Sequence, residues 1–341
     1  MVLCPRVEHA PRPKKTKDLQ SGFSHRSHFI AMVARTMEAN SPSSRVQGNV
    51  FAFLGMFIWA MTYPITDILL RTWNPLSLAM TRVLCAGILL GFITMFVRAN
   101  RNEWRNWPIK DACLTGVIGL GLSTVLMNFA FQYSNAVNVA VISTMVPLVS
   151  AIMGMIRGEE QMTLRLGTAL CLAIGGGVVV SVSNLDSELG FRGGELLMIC
   201  AVVLWTWFSR VSVTKLRSIP PFPRMALALT VAGLALFPIV LIFHWTAMPM
   251  FDLSWRISDV WLPVCLAFGV AFSTGFWMMS ADRIGVTIAA IHVNVVPFYV
   301  VVLMILFGGS LNLWQLGGAI LVAAGVILAQ LNLGEETAAH D

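Results

Sequence analysis

The chain is 341 residues long, 57% hydrophobic and only 12% charged, with a mean hydropathy of +0.75. So few charges cannot clothe a water-soluble globule of this size, which places the chain in a bilayer. The net charge of +6 is distributed as membrane topology distributes it and does not point to nucleic acid, and the six scattered cysteines form neither a disulfide framework nor a metal cluster.

Residues 1–47 are polar, basic and rich in Ser, Pro and Arg, without the apolar core of a secretory signal, and read as a disordered cytoplasmic tail in which Met32 and Met37 are alternative starts. Ten apolar stretches come after it, near 50–71, 75–97, 111–132, 136–156, 164–184, 193–214, 224–245, 260–281, 286–307 and 313–333. Each is long enough to cross roughly 30 Å of hydrocarbon. The plan occurs twice: Pro147, Gly158, Leu166, Gly167 and Gly175 recur 150 positions later as Pro297, Gly308, Leu316, Gly317 and Gly325. Gly48 and Trp59 recur at an offset of 146, and Asp111 and Gly121 fall on Asp259 and Gly269 at 148. Five spans per half force the second half to lie upside down relative to the first. The predicted fold is therefore an all-α integral membrane protein of ten transmembrane helices, two inverted five-helix repeats (48–184 and 192–333) between the basic tail and a short cytoplasmic tail, 334–341. Alternate loops place 18 of the 23 Lys and Arg on one side, so both termini are expected in the cytoplasm.

Polar and aromatic side chains recur at helical spacing. Trp59, Tyr63 and Asp67 form a stripe on the first span, which Pro64 should kink; Asp67 either pairs with Arg71 or serves transport. Arg82 lies about 10 Å into the membrane, where a charge must face the bundle interior or water. It is expected either to bind Asp67 or carbonyls freed at Pro64, or to serve transport. Thr124, Asn128 and Gln132 share one face of the third span, and its Gly116, Gly119 and Gly121 read as helix packing and not as a phosphate loop. The fourth span offers Asn138, Ser143, Thr144 and Pro147. Gly167 and Gly175 predict a packing seam on the fifth span, repeated by Gly317 and Gly325 on the tenth. In the second half Trp205 and Ser209 stand where Trp59 and Tyr63 stand in the first, Ser273, Trp277 and Ser280 share a face, and the ninth span carries His292 and Asn294. His292 is either a structural histidine or a proton carrier or ligand donor.

The early Trp59, the Asn-Pro followed by Arg82, Pro147, the Gly158-Glu159 pair and the repeated five-helix plan together resemble the drug/metabolite transporter superfamily, in its ten-helix EamA-like branch, over about residues 48–333. The second copy departs from that pattern at Gly309 and Ser310, where an acidic residue is usual. The resemblance implies an inner- or plasma-membrane carrier working by alternating access, with substrate held between the halves, and it favours efflux. The expected substrate-binding residues are Trp59, Tyr63, Arg82, Asn128, Gln132 and Thr144 of the first half, with Trp205, Ser209, Trp277, His292 and Asn294 of the second, lining spans one, three, four, six, eight and nine. Aromatic walls with amides, one guanidinium and one imidazole suit an amino acid or its derivative. Import of a vitamin, nucleoside or organic acid is the alternative reading. A membrane hydrolase is a remote one, since Ser123 and His292 are its lone nucleophile and base. No catalytic residue, cofactor or metal is expected; the partners are a small-molecule substrate, lipid and, where transport is proton-coupled, protons, in a monomer or homodimer.

Overall fold

The computed structural model describes residues 42–96, 107–158, 193–245, 257–306 and 313–330, with isolated positions between 163 and 179. The chain divides into two compact units, 1–45 and 46–341, and the bundle of apolar helices belongs to the second. Most of the expected tail, most of the fifth span, Glu159, Gly309, Ser310 and the 334–341 tail lie outside the described residues.

Every element among the described residues is helical. The first half comprises α1 (Pro42–Leu69), α2 (Pro75–Phe96), α3 (Ile109–Thr115), a π-helical turn (Gly116–Gly121), α4 (Leu122–Tyr133), α5 (Ala136–Ser143) and α6 (Val146–Ile156). The second comprises α7 (Gly194–Lys215), α8 (Pro221–Trp245), α9 (Ile257–Ile284), α10 (Val286–Ala290), a 3₁₀ turn (Ile291–Val295), α11 (Val296–Leu306) and α12 (Leu313–Gln330). Eight segments among the described residues are long and apolar enough to cross a membrane, those of spans one to four and six to nine. Their outward faces carry exposed apolar chains such as Phe53, Ile88, Phe92 and Ile242, the sort of surface that lipid and not water accommodates.

The two halves pack on each other reciprocally. A Cβ added at Gly87 would lie 2.5 Å from the Thr230 nitrogen, and one at Gly233 would lie 2.6 Å from the Leu84 Cβ. Gly233 stands 146 positions after Gly87, and Thr230 the same distance after Leu84. Equivalent positions thus meet equivalent positions, as a two-fold relation between repeats requires. Glycine lets the α2 and α8 backbones approach where lipid supplies no hydrophobic drive. A second reciprocal pair corrects the sequence register. A Cβ added at Gly119 would lie 2.6 Å from the Phe208 Cβ, and one at Gly269 would lie 2.7 Å from the Thr62 Cγ2. Thr62 and Phe208 are 146 apart, so the partner of Gly269 is Gly119, not Gly121, and spans three and eight correspond at an offset of 150. The expected seam at Gly167, Gly175 and Gly317 is not formed among the described residues, since a Cβ built at any of the three meets no atom within 4 Å.

Spans four and nine are both broken, at matching places. A proline ring collides with the carbonyl four residues earlier and offers no N–H; α5 accordingly stops at Ser143, four before Pro147. Thr144 and Met145 tighten onto the carbonyls of Val141 and Ile142, both at 3.0 Å. The ninth span passes through its 3₁₀ turn just before Pro297.

Candidate functional site

At the centre of the bundle is a cavity of about 60 Å³, the volume open to the centre of a water molecule, enough for several waters. All eight described spans line it: span two, which carries the expected Arg82, and span seven add to the six spans expected. Its wall is built in repeat-related pairs. Met56 and Val202, Trp59 and Trp205, and Val83 and Leu229 are each 146 apart, while Leu120 and Val270, Ser123 and Ser273, Thr124 and Thr274, Met127 and Trp277, and Ser143 and Val293 are each 150 apart. The hydrogen bonding repeats too: Thr124 donates to the Leu120 carbonyl at 2.8 Å and Thr274 to the Val270 carbonyl at 2.6 Å. Ser143 and Val293 belong to the two broken turns, four residues before the prolines.

Trp59 and Trp205 meet on this relation, stacked with ring centroids 6.2 Å apart and planes inclined by 20°. Trp205 also contacts Trp277 at 6.3 Å. Trp59 donates from Nε1 to the Tyr63 hydroxyl at 3.2 Å, and the Tyr63 ring meets Phe131 edge-on at 5.2 Å. Large aromatic rings with their polar tips bonded make a stiff wall.

Arg82 enters this wall from α2 and is 2% exposed. It binds neither Asp67 nor a carbonyl freed at Pro64. Its Nη1 donates to Asn128 Oδ1 at 3.1 Å, Asn128 Nδ2 in turn donates to the Pro75 carbonyl at 3.1 Å, and the guanidinium carbon lies 5.7 Å from the Trp59 ring centre. Asp67 instead pairs with the exposed Arg71 at 3.3 Å.

Of the expected residues, Trp59, Tyr63, Arg82, Trp205 and Trp277 line the cavity. Asn128 and Ser209 stand behind the lining; Asn128 braces Arg82, and Ser209 accepts the Trp277 Nε1 proton at 3.1 Å. Thr144 is buried but spends its hydroxyl on the Val141 carbonyl in the broken turn. His292 is half-buried and Asn294 buried, and neither lines the cavity; Gln132 is exposed. Sequence reasoning left out of the site the Ser-Thr dipeptides 123–124 and 273–274, whose recurrence 150 positions apart is the signal that finds them.

Beyond the cavity, polar contacts join the halves at both ends of α7. Near its start Ser134 donates to Glu195 at 3.0 Å. Near its finish Arg210 donates to the Ser150 carbonyl and hydroxyl, both at 3.0 Å, and Ser150 meets Thr287 at 3.0 Å.

The broken turn makes a prediction. Pro147→Ala restores an N–H and removes the ring clash, so transport should fall several-fold while thermal stability holds or rises. Unchanged transport by the purified variant would show that the break does not flex.

Comparison with known proteins agrees with this architecture. Residues 46–182 and 192–331 each match the model described as the EamA-like transporter family. An uncharacterized transporter of Bacillus subtilis (strain 168), YyaM, is 23% identical over 265 residues, spanning 75% of this chain and 85% of that one. An uncharacterized transporter of Archaeoglobus fulgidus is 24% identical over 260 residues, spanning 72% and 84%. A solved crystal structure superposes with a TM-score of 0.63 over 84% of this chain and 98% of its own, and at 17% identity it speaks to the fold alone.

Proposed function

The chain belongs to the EamA-like transporter family, and from that premise we propose that it carries a small amphipathic organic solute across the cell membrane by alternating access about the central cavity. It is a multi-pass membrane transporter and not an enzyme. In this reading ten transmembrane helices form two inverted five-helix repeats, both termini are cytoplasmic, and the solute, an amino acid or derivative, is exported. The observation that carries the reading is the wall of repeat-related pairs. A site shared by two inverted halves is one that opens to one side of the membrane or the other as the halves rock against each other. The two broken spans support it, since interrupted segments at corresponding places border the binding sites of such carriers. So do the polar contacts at either end of α7, which must open in turn. Import of an organic acid, nucleoside or vitamin uses the same geometry, with the gradients reversed.

The experiment is counterflow in proteoliposomes of the purified full-length chain, preloaded with single members of an amino-acid, organic-acid and nucleoside panel. Exchange of label dependent on Trp59 and Arg82 is expected; a sealed, correctly folded preparation that exchanges nothing across the panel would count against the reading. Protons are the proposed coupling ion, with His292 as carrier because it sits in the 3₁₀ turn beside the cavity-lining Val293. His292→Gln should then flatten the pH dependence of transport, and a variant whose pH profile matches the parent removes the histidine from the mechanism.

A further inference from the structure

The cavity is symmetric in framework and lopsided in charge. The position equivalent to Arg82 is Ala228, and that equivalent to Tyr63 is Ser209. Among the described residues Arg82 meets no carboxylate, and of its three nitrogens only Nη1 is hydrogen-bonded, to a neutral amide. Burying a cation in this wall costs several kcal/mol unless an anion comes to it. No acidic residue stands among the described residues of the wall. The four repeat-related hydroxyls have already given their hydrogens to their own helices, to the carbonyls of Leu120 and Val270. Trp277 likewise spends its N–H on Ser209. The guanidinium is therefore the one charged donor among the described residues of the wall.

We propose that Arg82 anchors a substrate carboxylate, and that the solute is a monoanion with a flat apolar body, an N-acylated or deaminated amino-acid derivative or another aromatic carboxylic acid, in place of a zwitterion or an amine. The inference rests on the cavity being the transport site. An ammonium group finds no counter-charge there, and the Trp59 face on which a cation would settle is already taken by Arg82. A carboxylate matches the fork of the guanidinium and neutralises it, while the body lies among Trp59, Trp205 and Trp277. Asn128, held by the Pro75 carbonyl, fixes the orientation of the fork from behind.

Four compounds sharing a phenyl ring on a short chain isolate the charge: phenylacetate, phenylalanine, phenethylamine and 2-phenylethanol. Binding to the purified full-length protein is read by tryptophan fluorescence in detergent. Phenylacetate should bind about tenfold tighter than each of the others, and Arg82→Gln should weaken it by about 10- to 100-fold, with Arg82→Lys recovering part of the loss. Equal or tighter binding of phenylalanine or phenethylamine, binding of none of the four, or undiminished phenylacetate binding by a folded Arg82→Gln overturns the proposal. The ranking on the parent protein decides the matter even where Arg82→Gln does not fold. Counterflow separates this claim from the one beneath it. Exchange of phenylalanine without phenylacetate refutes the carboxylate anchor and leaves the carrier intact. Arg82-dependent phenylacetate binding without exchange of any compound leaves the anchor and refutes the carrier.

Discussion

Replacing Asp282 with alanine is expected to destabilise the protein by about 3 kcal/mol. Arg224, at the start of α8, is fully buried and forks onto Asp282, near the end of α9, through Nη1 to Oδ1 at 2.8 Å and Nη2 to Oδ2 at 2.9 Å. Its Nε and Nη2 also donate to the Ile219 carbonyl at 3.0 and 2.7 Å. Removal of the carboxylate alone strands a buried guanidinium, which costs far more than the pair was contributing. The 17% exposure of the Asp282 side chain sets the expectation at the lower end of the usual range. Removing both charges in Arg224→Met/Asp282→Leu should restore most of the loss. Thermal denaturation of the parent and the two variants in detergent checks this, and a double variant as unstable as Asp282→Ala would show that the charges themselves, not the stranded cation, hold α8 to α9.

The crossing of α2 and α8 makes the second large prediction. Gly87→Val and Gly233→Val each force a side chain into backbone or Cβ atoms of the opposite helix, and overpacking of this kind costs about 3 kcal/mol. Because both substitutions wedge apart the same crossing, the double variant should lose clearly less than the sum. Gly91, one turn further along α2, has open space where its Cβ would be, so Gly91→Ala should be neutral or mildly stabilising. Additive losses at Gly87 and Gly233 would mean that the two sites yield independently and that the reciprocal crossing is not one unit.

Periodicity sets how much of this architecture is legible in the sequence. Repeated glycines, prolines and tryptophans announce the doubled plan and draw attention to Trp59, which recurs as Trp205, and to Arg82, because a charge at mid-span must face inward. Partners are not legible. A spacing of four residues ties Asp67 to Arg71 and says nothing of Asn128, which lies 46 positions from Arg82. Depth is not legible either: Thr124, Asn128 and Gln132 share a helix face, yet Thr124 lines the cavity, Asn128 braces it from behind and Gln132 has run out to the exposed end of α4. Arg224 and Asp282 read as one more cytoplasmic cation and an acid near a span end, since only the crossing of α8 and α9 brings residues 58 apart together. The register of spans three and eight is misjudged for a related reason. Matching Gly121 to Gly269 maximises identity, whereas the packing assigns the equivalent role to Gly119.

The stacked indoles of Trp59 and Trp205 also have an optical consequence. Two chromophores 6.2 Å apart and inclined by 20° couple their transitions, and the sign and strength of the resulting circular dichroism depend on the angle between them. One ring belongs to each half, so any rocking of the halves changes that angle. The difference spectrum between the parent and Trp59→Phe therefore provides an intrinsic, label-free goniometer, on which inward- and outward-facing forms of the carrier can be told apart as solute is added.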